Sequence, residues 1–352
     1  MKTTVTQVSE NNLTDPGTAE ILEKAGTIIK NGGLVAFPTE TVYGLGGDAL
    51  NAESSRKIYA AKGRPSDNPL IVHIADIKDL APLVKKIPPK AEQLAKAFWP
   101  GPLTMIFEKS DLVPLATTGG LDTVAVRFPS DPVAAAFIRA AGGYIAAPSA
   151  NTSGRPSPTL AKYVEEDLSG RIEMIIDGGQ ACIGLESTIV DMTAEPPMIL
   201  RPGYITKAML EEVLGEVEVD QTLLTDDSTQ APKAPGMKYK HYAPRGEMTI
   251  VTGTPEEVVT RINDLVQKDL AEGKKVGILC SSELEHRYNS GAVIKAAGNA
   301  GDEDAVAREL YRILREFDDE KAEVIYSEAF DNKGVGAAIM NRLLKAAGRR
   351  VI

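Results

Sequence analysis

Four cations fall within nine residues of this 352-residue chain: Arg56, Lys57, Lys62 and Arg64. The run Lys62-Gly63-Arg64-Pro65 leaves a helical pattern over 51–61 through a glycine, which permits a sharp exit and lets both cationic side chains converge on one anion. Phosphate is the natural candidate. A solvated basic helix face closed by a glycine stop accounts for the same residues. Ser66, Asp67 and Asn68 follow directly and add hydrogen-bonding groups.

A second candidate is the stretch from Ala146 to Ser157, AAPSANTSGRPS, which follows an apparent buried strand. Small residues let backbone approach a ligand closely, and hydroxyls, an amide and exposed N–H groups can form an anion nest. A Ser/Pro-rich surface loop is the plainer reading, but the position at a strand end favours binding. Arg127 ends the run TVAV, where it suits a two-point clamp on a carboxylate or a structural ion pair. Ser187 and Thr188 lie beside Glu186 in GLESTIVD. His73 stands in the apolar run LIVHIA, the usual setting of a satisfied core histidine. Pro38 ends the ladder pairing of a strand over 34–37 and leaves Thr39, Glu40 and Thr41 as polar groups at its end.

Other chemistries find no support. No G-x-x-x-x-G-K-[ST] loop occurs. Gly44, Gly46 and Ala49 fit the loose dinucleotide pattern G-x-G-x-x-A, but Pro38 breaks the preceding strand and a basic helix follows, so these glycines read as a tight turn. With three histidines (His73, His241, His286), no G-x-S-x-G and no dense acidic cluster, the chain points away from covalent hydrolysis and from a dedicated protein metal cage. Positioning and charge stabilisation would carry any reaction.

The elements that must position these groups form two patterns. From residue 17 to about 210, short apolar runs (34–37, 70–74, 103–108, 124–128, 174–176, 188–191) alternate with helical stretches, and many Pro and Gly residues intervene. An α/β or α+β domain with mixed strand directions is expected. Residues 215–246 lose periodicity and read as a linker, although Met237, Tyr239, His241 and Tyr242 are too large for a plain spacer. From Met248 onward strands and helices alternate, the first helix opening at Thr254-Pro255-Glu256-Glu257 with a capping-box spacing. A small parallel sheet with right-handed crossovers follows from that order.

Composition bounds the function. A length of 352 residues suits two domains, and an apolar content of 43% supports a packed core. The net charge of −10 argues against a sequence-independent grip on nucleic acid. Cys182 and Cys280 are far apart and suggest neither a disulfide framework nor a zinc site. The polar N-terminus lacks the apolar core of a signal peptide, and no window reaches the length of a membrane span, so a cytoplasmic protein is expected.

Taken together, PTETVYGLG at 38–46, KGRPSDNPLIVHI at 62–74, WPGPLT at 99–104, TVAVRFP at 123–129, APSAN at 147–151, GLESTIVD at 184–191 and LRPG at 200–203 resemble the YrdC-type fold of threonylcarbamoyl-AMP synthases. APGMKYKHYAP at 234–244 and the segment after it resemble the two-domain form of that family. The resemblance implies a YrdC-like catalytic domain over 1–214, a twisted mixed parallel and antiparallel sheet with helices around a concave cleft. It further implies a linker over 215–246 that folds across the active site, and a smaller Rossmann-like α/β domain over 247–352.

By the same resemblance, the activity is synthesis of L-threonylcarbamoyl-AMP from L-threonine, bicarbonate or CO₂, and ATP, for t6A modification of ANN-decoding tRNAs. The catalytic signature falls on Lys62, Arg64, Ser149 and Asn151. ATP is expected at Arg64, Asn68, Thr123, Ser149, Ser157, Arg201 and Tyr239, with Mg²⁺ carried on its phosphates rather than on protein side chains. L-Threonine is expected at Thr41, His73, Arg127, Ala147 and Ser187, which moves His73 from core filler to ligand contact. Partners would be the small substrates and the downstream threonylcarbamoyl transferase machinery acting on tRNA, with no membrane and no stable nucleic-acid contact. An RNA-binding or ribosome-assembly module is the alternative, opposed by the acidic charge and the lack of basic-aromatic interleaving. A carbamoyl-transfer maturation domain is a third reading, opposed by the absence of Cys pairs and extra length.

Overall fold

The computed structural model describes residues 1–221, 234 and 242–352. Contacts divide the chain into two compact units, the first made of Met1–Ser153, Pro158–Cys182 and Glu186–Tyr239, the second of Gly154–Ser157, Ile183–Leu185 and Lys240–Ile352. The division is not contiguous in sequence. Arg155 and Arg245 show why: the Arg155 guanidinium pairs with Asp318 at 3.1 Å, and the Arg245 N–H donates to the same carboxylate at 2.7 Å.

The first unit runs β1 (Thr4–Gln7), α1 (Pro16–Lys30), β2 (Val35–Phe37), β3 (Gly44–Asp48), α2 (Ala52–Lys62), β4 (Ile71–His73), α3 (Pro89–Phe98), β5 (Leu103–Glu108) and β6 (Thr123–Arg127). It continues through α4 (Pro132–Ala140), β7 (Ile145–Ala147), α5 (Ala161–Leu168), β8 (Met174–Asp177), β9 (Thr188–Asp191), β10 (Met198–Arg201), α6 (Lys207–Leu214) and β11 (Glu218–Val219). The strands hydrogen-bond in the order β1-β8-β2-β3-β7-β4-β6-β5-β9-β10-β11. Directions are mixed: β4 runs parallel to β6 and antiparallel to β7, while β5 runs antiparallel to β6 and parallel to β9. Successive side chains of a strand point to opposite faces. Leu34 and Ala36 accordingly join one apolar cluster, and Val35 and Phe37 another. Both faces are covered, which is why the strands read as continuous apolar runs.

One expectation is corrected. Gly44, Gly46 and Gly47 do not form a tight turn; they lie in β3, antiparallel to β2, with Gly46 opposite Val35 and Gly44 opposite Phe37. A Cβ on Gly46 would stand 2.9 Å from Ile145 Cγ2 and 3.1 Å from the Val35 carbonyl oxygen, so glycine is required by close approach. The turn comes earlier, where the Thr39 hydroxyl accepts the N–H groups of Thr41 and Val42 and donates to the Val42 carbonyl.

The second unit carries β12 (Glu247–Val251), α7 (Pro255–Ala271), β13 (Val276–Cys280), β14 (Val293–Ala296), α8 (Glu303–Asp319), β15 (Val324–Glu328) and α9 (Gly336–Ala346). Its sheet is wholly parallel, in the order β12-β15-β13-β14. Helix α7 opens with the capping box foreseen from Thr254 and Glu257, and buries Val258, Val259, Ile262 and Val266 on one side. Among the described residues no helix is long and apolar enough to cross a membrane.

Candidate active site

The polar side chains singled out in the sequence gather along adjacent strands of the first unit. Strands β7, β4, β6, β5 and β9 lie side by side, and register places His73 opposite Arg127, and Arg127 opposite Thr104. The Thr104 hydroxyl is 2.7 Å from that of Ser187, which precedes β9. Ala147 pairs with Ile71 across β7 and β4. Thr41 joins from the turn after β2, its hydroxyl accepting from Arg127 Nη1 at 2.8 Å. Thr41, His73, Arg127, Ala147 and Ser187 are all buried, so the five candidate threonine contacts form one desolvated stretch.

Arg127 is held from three sides. Besides Thr41, its Nε donates to the Gly101 carbonyl at 3.5 Å, and Nη2 lies 2.8 Å from Glu40 Oε1. Glu40 Oε1 also accepts the N–H of Ser130 at 3.1 Å. Glu40 Oε2 and Arg127 Nη2 are buried and make no hydrogen bond. The His73 Nδ1 lies 3.1 Å from the Ile71 carbonyl oxygen, and the Ile145 backbone also hydrogen-bonds the ring. Burial and, after it, the Arg127 charge push the imidazole down to about 3, so it is neutral at physiological pH. Asp131, the N-cap of α4, is held above the usual carboxylate range by burial and by Glu40.

The cationic corner is built on the exit of α2. Gly63 caps that helix at φ +62° with open space around its missing Cβ, so left-handed backbone is what calls for glycine. Lys62 is 3% exposed; its ammonium donates to the Ser149 carbonyl, the Asn151 carbonyl and Asn151 Oδ1. The Ser149 hydroxyl donates to that same Oδ1, and the Ser153 N–H donates to the Lys62 carbonyl at 2.9 Å. Arg64 turns to the following loop, donating to the carbonyls of Asn68 at 3.3 Å and Pro69 at 3.1 Å. Asn68 is buried, and its Oδ1 accepts no hydrogen bond.

The remaining candidates are spread along the strands. Arg201, at the end of β10, donates to the Ser187 carbonyl at 3.0 Å and to its hydroxyl at 3.1 Å, which ties it to the Ser187 end of the stretch. Thr123 opens β6 whereas Arg127 closes it, four residues on, or ~13 Å at the usual strand rise. Ser157 is buried in the Gly154–Ser157 segment, which clusters with the second unit. Tyr239 lies outside the described residues, as do Met237 and His241. The sequence reading left Glu40 and Thr104 without a role. The only local signal for Glu40 was its place between two threonines after a strand-ending proline.

Comparison with known proteins bears on the chain as a whole. A family model described as telomere recombination, covering Sua5, YciO and YrdC, matches residues 27–203, and one described as threonylcarbamoyl-AMP synthase, C-terminal domain, matches 205–348. A threonylcarbamoyl-AMP synthase of Pyrococcus abyssi is 49% identical over 93% of this chain and 94% of its own, and one of Bacillus subtilis is 49% identical over 94% of each. The crystal structure of P. abyssi Sua5 complexed with L-threonine superposes with a TM-score of 0.92 at 46% identity, covering 99% of both chains. Matched by both models and by relatives along nearly its whole length, the chain belongs to the threonylcarbamoyl-AMP synthase family.

Proposed function

We propose that this chain makes L-threonylcarbamoyl-AMP from L-threonine, bicarbonate or CO₂, and ATP, releasing pyrophosphate and supplying the t6A modification of ANN-decoding tRNAs. The observation that carries the reading is the run from Ala147 to Asn151. It joins the desolvated Arg127 stretch through Ala147 to the Lys62 corner through Ser149 and Asn151. An amino acid and a polyphosphate held at those two places would meet.

The threonine ammonium and bicarbonate combine to N-carboxy-threonine with loss of one water and one proton. The new carboxylate then attacks the α-phosphorus of ATP, and the bond to pyrophosphate breaks. Nucleophile and triphosphate are both anions; Lys62 and Arg64, with Ser149 and Asn151 as hydrogen-bonding partners, offset their repulsion. Arg127 anchors the threonine α-carboxylate, with Thr41, Ser187, the Ala147 backbone and neutral His73 completing the subsite. Asn68, Thr123, Ser157, Arg201 and Tyr239 hold the nucleotide. Among the described residues no group of three or more His, Cys, Asp or Glu side chains could hold a metal. Mg²⁺ is assigned to the ATP phosphates, where it would neutralise their charge. The mixed anhydride is labile to water, and the linker over 215–246 is assigned the role of excluding it. The product passes to a threonylcarbamoyl transferase acting on tRNA, in the cytoplasm.

Pyrophosphate release from ATP, with threonine and bicarbonate omitted in turn, tests the reading. Both omissions should abolish release, and Lys62→Ala or Arg64→Ala should depress it by about 10²–10³-fold with the fold intact. Release without threonine, or wild-type turnover in both variants, would refute it. Salt-sensitive RNA affinity in place of threonine-dependent turnover would favour the nucleic-acid module.

A further inference from the structure

Resting on the proposed amino-acid subsite, we infer that Glu40 makes that subsite selective for a zwitterion over a simple carboxylate anion. Arg127 by itself would attract any carboxylate. Glu40 places a second full charge 2.8 Å from Nη2 of the same guanidinium, with side chains of 5% and 6% relative exposure. One carboxylate oxygen is spent on Arg127 and the Ser130 N–H; the other, Oε2, is sealed from solvent with no hydrogen-bond partner. Water does not screen that oxygen, and the carboxylate's charge is offset only through Oε1, so its field acts on the neighbouring subsite at low effective dielectric.

The consequence is a matter of sign. A carboxylate approaching Arg127 also approaches Glu40, and the attraction of the first is largely cancelled by the repulsion of the second. A ligand that brings its own ammonium restores the balance, because that charge is attracted to Glu40. Threonine meets the requirement and its desamino analogue, 3-hydroxybutyrate, does not, although both share the carboxylate and the hydroxyl. Glu40 thus acts by charge and by fixing Arg127, not by bonding the reacting atoms. It is a specificity-determining positioning residue. Charges common to every variant, Arg201 beside Ser187 among them, cancel when the two ligands are compared in one protein.

The test is calorimetric binding of L-threonine and of 3-hydroxybutyrate to the full chain, as wild type, Glu40→Gln and Glu40→Asp. Wild type should bind threonine tightly and the analogue at least about tenfold more weakly. Glu40→Gln should cut that preference by about tenfold or more, chiefly through a gain for the analogue, and Glu40→Asp should retain it. Parallel weakening of both ligands in Glu40→Gln would overturn the inference, since a purely structural prop for Arg127 has that effect. Should Glu40→Gln fail to fold, wild type decides: equal affinity for the two ligands overturns the proposal, and a preference lost in Glu40→Asp does the same. A wild type that binds no threonine at all refutes the proposed function first, and the inference falls with it.

Discussion

Glu40, after β2, and Glu328, at the end of β15, are both buried, one in each unit, and they are satisfied to different degrees. Glu328 closes β15 with 6% exposure; its Oε2 accepts the Ser281 N–H at 3.0 Å and its Oε1 accepts the Tyr288 hydroxyl at 2.7 Å. Glu40 follows β2 with 5% exposure, and its Oε2 accepts nothing. Burying a carboxylate without a full set of donors is costly, so a complete set is what a structural role requires. Glu328 is explained by the parts it ties together. Glu40 lacks that set: its Oε1 is paired with Arg127 and the Ser130 N–H while its Oε2 goes without, and the selectivity proposed for it supplies a reason that structure alone does not.

The largest expected effect breaks the Arg127 side of this comparison. Arg127→Gln should reduce threonine-dependent pyrophosphate release by at least about 10²-fold, through loss of a charge-assisted clamp. It should also cost about 3–5 kcal/mol of stability, because Glu40 then stands buried without its countercharge. Adding Glu40→Gln to the Arg127→Gln chain should return much of the stability and none of the threonine response. Denaturant unfolding followed beside turnover separates the two losses. Recovery of threonine response in the double variant would remove Arg127 from the subsite.

The Glu328 side should fail differently. Glu328→Leu leaves the Ser281 N–H and the Tyr288 hydroxyl buried without an acceptor, at a combined cost of about 2–4 kcal/mol. The loss should be local to the second unit, visible as faster hydrogen exchange in β13 and β15 and unchanged exchange in β4 and β6. Threonine affinity should stay at the wild-type value. A fall in threonine affinity matching that of Arg127→Gln would erase the distinction drawn between the two carboxylates.

How much of this was legible in the sequence follows from where the information lies. Strands β5 and β9 emerge with the bounds read from Leu103–Glu108 and Thr188–Asp191, because a strand covered on both faces is a continuous apolar run. Strand β3 was missed because Gly44, Gly46 and Gly47 give no apolar signal; its place depends on side chains of β2 and β7 that leave no room for a Cβ. Strand β1, TVTQ, was missed because it is largely exposed and its polar residues carry no core pattern. At the candidate site, local reading found the cations and the Ser/Asn loop but not that Lys62 reaches into that loop, a contact 87 and 89 residues away along the chain. Glu40 was visible only as one more polar residue. What singles it out is Arg127 on a strand far along the chain, and pairing of that kind is settled by register, not by spacing.

The smallest expected effect concerns acid, and it sharpens the contrast by asking which unit responds. His73 is pushed down to about 3 in the folded chain, first by burial and then by Arg127, against an ordinary value of 6.5. A depressed imidazole favours the neutral native form, so its contribution to stability is complete above 6.5 and is lost as pH falls from there toward 3. Over that window one proton taken up on unfolding gives a slope of about 1.4 kcal/mol per pH unit. His73→Gln keeps a neutral side chain of similar polarity and should flatten the slope by that amount, with the change confined to the first unit. Tyr288, Glu328 and Ser281 form a network in the second unit that contains no histidine. Exchange in β13 and β15 between pH 6.5 and 4, corrected for its intrinsic pH dependence, should therefore be the same in wild type and His73→Gln. An undiminished slope in the variant would show that His73 is not the group taking up the proton, and the neutral imidazole assigned to the threonine subsite would lose its physical support.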